Sequence, residues 1–206
     1  PTPIRYNTID LWGGRQWQLF KGKSVTARST NLVLSVRALQ VRYSTTPPFI
    51  YDTLNVYSSE NFYLGGLGVS SREYEQEDYV FKYGTKEDVP IGRAYGIIFG
   101  LQRKNEANRL YGGLRMAWGR YYPLGYISTD LQYGTFLKNP RFESSTIKAS
   151  INYFTQLYSL GNWRFRQFVK PEVTIGIRRY PNEYLTINDD YGIRGFNSAT
   201  LIGTSR

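Results

Sequence analysis

The feature that most constrains this chain is its alternation of apolar and polar residues with a period of two. Across residues 145–157 one side of an extended chain reads Ile147, Ala149, Ile151, Tyr153 and Leu157, interrupted only by Thr155. The other side reads Lys148, Ser150, Asn152, Phe154 and Gln156. Residues 163–178 repeat the pattern: Trp163, Phe165, Val169, Val173, Ile175 and Ile177 alternate with Arg164, Arg166, Lys170, Glu172, Thr174 and Arg178. Successive side chains of a strand point to opposite faces, so such a segment is an amphipathic strand and not a helix.

The same alternation, with a few exceptions, runs through residues 94–102, 110–120 and 127–137, and more weakly through 31–43, 62–71 and 79–83. Residues 9–20 read as a strand pair or as one strand broken at Gly13-Gly14. No segment has helical periodicity. Turn signals fall at Tyr122-Pro123-Leu124-Gly125, at 104–108, at 138–141 and at Leu160-Gly161-Asn162, spacings that join neighbouring strands as hairpins. The expectation is an all-β, antiparallel fold of about ten strands in a single domain spanning 1–206, with 44–60 as its most irregular connection.

Two architectures produce this pattern. In a soluble barrel or sandwich, which would bind a lipid or glycan, the apolar face is the interior. In a transmembrane up-and-down β-barrel it meets lipid and the polar face lines the lumen. Several segments sustain alternation for about ten residues, the length that crosses a bilayer at a tilt and longer than the usual soluble strand of about 5–6. Tyr and Trp gather towards strand ends, at Trp118, Tyr121, Tyr122, Tyr126, Tyr158, Trp163 and Tyr184, as the interfacial girdles of a membrane barrel require. Both observations favour the transmembrane barrel.

Composition narrows the chemistry. With no His and no Cys, a zinc site, a disulfide framework and the His-dependent or Cys-dependent nucleophiles are excluded within these residues. No run approaches the roughly 18 apolar residues of a membrane helix. The net charge of +10 raises nucleic acid, an anionic membrane surface or an acidic partner. Single-strand binding, however, needs rings and cations interleaved on one face, whereas in 163–178 they segregate to opposite faces. Nucleic acid is therefore not expected, nor is any metal or cofactor. Asn188-Asp189-Asp190 lacks the spacing of a calcium loop, and residues 64–68, Leu-Gly-Gly-Leu-Gly, lack that of a phosphate loop. Residues 85–90 put a Lys beside two carboxylates and read as a solvated turn. Asp130 and Glu172, both on polar faces, would form a carboxylate pair of catalytic kind only if unneutralised; Arg164, Arg166, Lys170 and Arg178 are the expected ion-pair partners. No catalytic residue is assigned.

The most specific signal is Tyr191-Gly192-Ile193-Arg194-Gly195-Phe196, followed by Leu201-Ile202-Gly203-Thr204-Ser205-Arg206. Two Gly flanking Arg permit an unusual turn, Arg offers a planar fork for carboxylates, and Phe is a wedge. This Gly-Ile-Arg-Gly-Phe loop after a long amphipathic strand resembles the outer-membrane barrel superfamily of BamA-like and TamA-like assembly proteins and FhaC-like two-partner secretion transporters. The resemblance implies that Gly192, Ile193, Arg194, Gly195 and Phe196 form a loop folded back into the lumen, with Arg194 pointing inward. Arg164, Arg166, Lys170, Glu172, Arg178 and Asp130 would line the lumen beside it. It further implies the outer membrane of a Gram-negative bacterium, a non-enzymatic role in protein assembly, insertion or polypeptide translocation, and as partners membrane lipids, unfolded or extended polypeptide, periplasmic lipoproteins or other complex subunits.

In that family the loop follows the eleventh of about sixteen strands. Counting back makes 163–179 strand eleven, 145–160 ten, 126–137 nine and 110–121 eight, so that the chain starts near strand three. Turns 161–162 and 123–124 then lie on the periplasmic side, as does the long 44–61 connection, which is out of place there. A barrel lacking a third of its wall leaves unpaired edges, so the expectation is a portion of a longer polypeptide or one piece of a complex. An alternative within the same architecture is the barrel anchor of a fused patatin-like or phosphoesterase enzyme.

Overall fold

The computed structural model describes residues 4–53, 55–138, 141–178, 185–186 and 202–203. Seven long strands follow one another: β1 (Arg5–Gln18), β2 (Thr30–Thr45), β3 (Glu60–Asp78), β4 (Lys86–Lys104), β5 (Ala107–Tyr122), β6 (Gly125–Lys138) and β7 (Arg141–Thr155). A single turn of helix, α1 (Val25–Ser29), is capped by the Ser24 hydroxyl, which accepts a hydrogen bond from the Ala27 N–H. Short strands follow: β8 (Tyr158–Leu160), β9 (Trp163–Phe165), β10 (Phe168–Val169), β11 (Glu172–Ile177), β12 (Leu185–Thr186) and β13 (Ile202–Gly203).

The fold is all-β and antiparallel. Each strand from β1 to β7 pairs with its successor, and β10 and β11 share one position beside β7. Among the described residues the sheet is not closed: β1 pairs only β2, and β10 and β11 pair only β7. The β8–β9 and β12–β13 pairs are separate two-stranded sheets. Turn chemistry matches the connections. Asn105 and Glu106, both at positive φ (52° and 59°), close the β4–β5 hairpin as the primed two-residue turns do. Gly125, at φ 130°, ends the Pro123-Leu124 turn.

The sheet curls. Phe62 on β3 and Phe136 on β6 are three strand positions apart, about 14 Å on a flat sheet, yet their ring centroids are 5.9 Å apart, with Tyr111 of β5 beside both. The face bearing these rings is the inner one. At the α1 end of the sheet, Val80, Val89, Tyr126 and Phe154 are buried together with Ile91, Tyr121 and Phe168 packed against them.

Several elements differ from the sequence reading. Residues 9–20 are mostly one strand, because Gly13 and Gly14 remain in register opposite Val36 and Ser35. Residues 79–83 are a loop and not a strand, while β3 continues through Asp78. The Glu87 carboxylate accepts the Val80, Phe81 and Lys82 N–H groups and pins that loop to β4, so residues 86–90 belong to a paired strand and not to a free turn. Residues 163–178 form three short strands instead of one, interrupted before Phe168 and at Pro171, which has no N–H for the ladder. Losing 79–83 as a crossing shifts the strand count by one. The 46–59 connection therefore lies at the end opposite the Pro123-Leu124 turn, and the sheet has eight positions: β1 to β7 plus that of β10 and β11.

Candidate functional site: the two faces of the sheet

Because antiparallel partners share a face, the register defines rows that cross the whole sheet. One outer row runs Trp17, Leu32, Val69, Tyr95, Met116, Leu131, Ala149, Val173. The next outer row runs Arg15, Leu34, Leu67, Ile97, Leu114, Tyr133, Ile147, Ile175. Arg15 is the only charged side chain in either. Leu34, Ile97, Phe99, Leu114, Tyr133 and Ile175 are exposed, and no described segment covers them.

The inner rows are offset by one residue and have opposite character. One runs Gln18, Asn31, Ser70, Ala94, Ala117, Asp130, Ser150, Glu172, and its neighbour Gln16, Val33, Gly68, Gly96, Arg115, Gln132, Lys148, Thr174. Small residues leave room on the inside of the curl. A cavity of about 340 Å³ opens there, lined among others by Ser70, Ala117, Ser128, Asp130, Asn152 and Glu172.

Charges on this face are paired locally. Arg37 donates to both Asp10 carboxylate oxygens at 2.9 and 2.6 Å. Arg115 Nε and Nη2 donate to Asp130 Oδ2 at 2.9 and 2.6 Å, and Gln132 donates to Oδ1 at 2.7 Å. Lys148 Nζ lies 2.8 Å from Glu172 Oε1. Asp130 and Glu172 thus line one cavity in one row with Ser150 between them. Their partners are Arg115 and Lys148, however, and not the expected Arg164, Arg166, Lys170 and Arg178, because cross-strand neighbours in the ladder reach them first. Each carboxylate is thus neutralised by a cation from a neighbouring strand.

Arg164, Arg166 and Lys170 serve the α1 end instead. Arg164 lies on the β8–β9 hairpin, outside the main sheet, and its Nη1 donates to the Tyr79 hydroxyl at 2.8 Å. Arg166 Nη2 donates to Glu77 Oε1 at 2.9 Å; its side chain is 4% exposed and its guanidinium carbon sits 4.9 Å from the Phe154 ring centroid. The Lys170 ammonium lies 4.7 Å from the centre of the Phe81 ring, which stacks on Phe168. Together these contacts tie residues 164–170 to the β3–β4 loop across the inside of the curl. Arg178 follows β11 at φ 52°, and its carbonyl accepts the Ser144 N–H at 3.1 Å. Of the aromatic residues expected at strand ends, Tyr121 and Tyr126 belong to the inner cluster by register, not to the outer face.

Gly192, Ile193, Arg194, Gly195, Phe196 and the acidic run 188–190 lie outside the described residues. The flanking strands β12 and β13 pair through Leu185 with Gly203 and Thr186 with Ile202. Among the described residues no group of three or more acidic side chains is placed to hold a metal ion. Sequence reading missed Arg115 and Lys148, which parity alone would have found, and Glu77, which lies 89 residues from Arg166 with no local signal.

Comparison with protein-family models, with curated proteins and with solved structures finds nothing that matches this chain.

Proposed function

We propose that this chain forms wall of a transmembrane outer-membrane β-barrel, acting in assembly and insertion of outer-membrane proteins or in polypeptide translocation. The observation that carries the reading is the pair of apolar outer rows, uninterrupted across eight strand positions except at Arg15 and exposed along most of their length. In water so broad an apolar surface associates or aggregates; against lipid it is the stable arrangement, with polar and ion-paired residues kept to the inside.

The polypeptide-handling role rests on the resemblance of residues 191–206 to the BamA/TamA/FhaC-like superfamily. If β10 and β11 stand at the family's strand eleven, counting back over the observed sheet makes β1 strand four. The long 46–59 connection then falls on the extracellular side, where long loops belong. A barrel of this family works without bond chemistry: a seam offers a strand edge to an incoming chain, or the lumen passes it.

Expressed in a Gram-negative host, the full-length protein is expected in the outer-membrane fraction, extracted only by detergent and migrating faster on gels before heating than after. A chain that stays folded and monomeric in plain buffer would sink the membrane reading. Arg194→Ala is expected to impair assembly or transport more than Arg179→Ala; equal effects would remove the support for a polypeptide-handling loop.

A further inference from the structure

The outer face carries a second cavity, of about 550 Å³, at the α1 end of the apolar rows. It sits where the β4–β5 ladder stops at Gly92 opposite Gly119, beneath the turn of α1. Three rings line it, Tyr95 on the side of the apolar rows, Trp118 in the middle and Tyr122 at the β5 end, and two guanidiniums, Arg93 and Arg120, flank Trp118. The register fixes that flanking: Arg93 pairs with Trp118, and Arg120 lies two residues further along the same face. Arg120 also stands 5.8 Å from the centre of the Tyr122 ring.

Three hydroxyl groups at the rim, those of Ser29, Thr30 and Ser71, are already engaged. Thr30 donates to the Thr26 carbonyl at 2.7 Å, and the Ser29 hydroxyl lies 3.3 Å from that of Ser71 and 3.4 Å from Glu73 Oε1. Glu73 is the one carboxylate in the lining. Among the described residues neither Arg93 nor Arg120 is in an ion pair, whereas the inner-face Arg37, Arg115 and Arg166 all are. Two cations on the proposed lipid-facing side, beside Trp118 at headgroup depth, have no described carboxylate as ion-pair partner and offer a place for an anion. A planar guanidinium matches phosphate oxygens in both geometry and charge.

We infer that this cavity binds the phosphate of a membrane phospholipid, held by Arg93 and Arg120, with the head of the acyl chains against Tyr95 and Trp118. The inference rests on the membrane reading above. The test is native mass spectrometry of the full chain released from detergent, with phosphatidylethanolamine as probe. Diacylglycerol lacks the phosphate and glycerophosphoethanolamine lacks the acyl chains, so the two serve as comparison probes. Wild type is expected to retain phosphatidylethanolamine over both. The double variant R93Q/R120Q is expected to lower retention about tenfold, while R103Q, an outer-face cation outside the cavity, leaves it unchanged. Should R93Q/R120Q not fold, R93K/R120K keeps the charge without the fork and is expected to lose part of the retention.

Equal retention by wild type and the Arg93/Arg120 variants, or diacylglycerol held as well as phosphatidylethanolamine, would overturn the site. Glycerophosphoethanolamine held as tightly as the lipid would overturn the membrane source of the phosphate. The two readings fail separately: a chain that needs no detergent to stay folded refutes the membrane wall, whereas a detergent-dependent chain with indifferent variants refutes only the lipid site.

Discussion

Leu114 and Gln132 are neighbours on adjacent strands, one residue out of register, and they point to opposite faces of the sheet. Leu114 belongs to a row that is aliphatic and aromatic but for Arg15 and points away from the curl, and Gln132 to a row of Gly, Arg, Gln, Lys and Thr, with Val33 its one large apolar member, pointing into it. The difference teaches where specificity resides in such a sheet. The backbone treats both faces alike, since every ladder bond is made regardless of side chain. What distinguishes them is only the side chains each face carries, and one residue of slip would exchange the two sets completely.

The strongest way to break the comparison is to place the same charge on either side. Leu114→Arg puts a guanidinium in the middle of the outer rows and is expected to cost about 2–4 kcal/mol of folding stability in lipid. Gln132→Arg, beside Asp130 on the inner face, is expected to cost under about 1 kcal/mol. Reversible urea titrations in phospholipid vesicles, read by Trp fluorescence, compare them. Equal costs would mean that the outer rows do not face lipid.

Gly92 tests where the alternation of faces changes over. Below it, Ala94 shares the inner face with Ala117; above it, Val89 and Ile91 pack with inner residues Tyr126 and Phe154, so the chain has switched parity. The switch uses φ 126°, and a Cβ there would collide with the Ser71 carbonyl oxygen. Gly92→Ala is expected to cost about 1–3 kcal/mol and to disturb the Tyr126 cluster. Gly112, on the outer face at the same sheet with open space around its Cβ position, tolerates Ala. Melting temperatures of the two variants check this.

Glu77 extends the contrast to the α1 end, where the inner face is closed over instead of open. Removing its charge leaves Arg166 buried with Nε and Nη1 already lacking hydrogen-bond partners among the described residues. Glu77→Gln is expected to cost about 1–2 kcal/mol, less than for a fully buried pair because Glu77 is 31% exposed. Amide exchange of residues 163–170 should rise first.

The two faces were readable from the sequence because period two survives any error of register: Ile147, Ile151, Val173 and Ile175 stay on one side wherever the strand begins. The long strands at 94–102, 110–120 and 127–137 were found for the same reason and extended only at their ends. Residues 79–83 were misread because Tyr79, Phe81 and Tyr83 also alternate; what makes them a loop is Glu87, whose three backbone contacts are set by tertiary position. The break in 163–178 escaped because its side chains keep their parity across Pro171. Ion-pair partners were assigned along the chain when they lie across it: Asp130 meets Arg115 and Glu172 meets Lys148 because the ladder sets them side by side.

Glu87 gives the smallest effect and the one that pH resolves. Its carboxyl lies below the ordinary Glu range, chiefly because the Phe81 N–H, with those of Lys82 and Val80, bonds the charged form. A carboxyl more acidic when folded than when unfolded contributes stability above its unfolded pKa, and loses it as pH falls through the folded value. The loop 79–85 should therefore loosen selectively on acidification into and below the normal carboxylate range, while the outer rows, which carry no carboxylate, do not respond. Glu87→Gln should open the same amides at neutral pH and flatten the acid dependence of their exchange. If the 80–82 amides exchange with the same pH profile in both proteins, once the intrinsic chemistry is subtracted, Glu87 does not hold the loop.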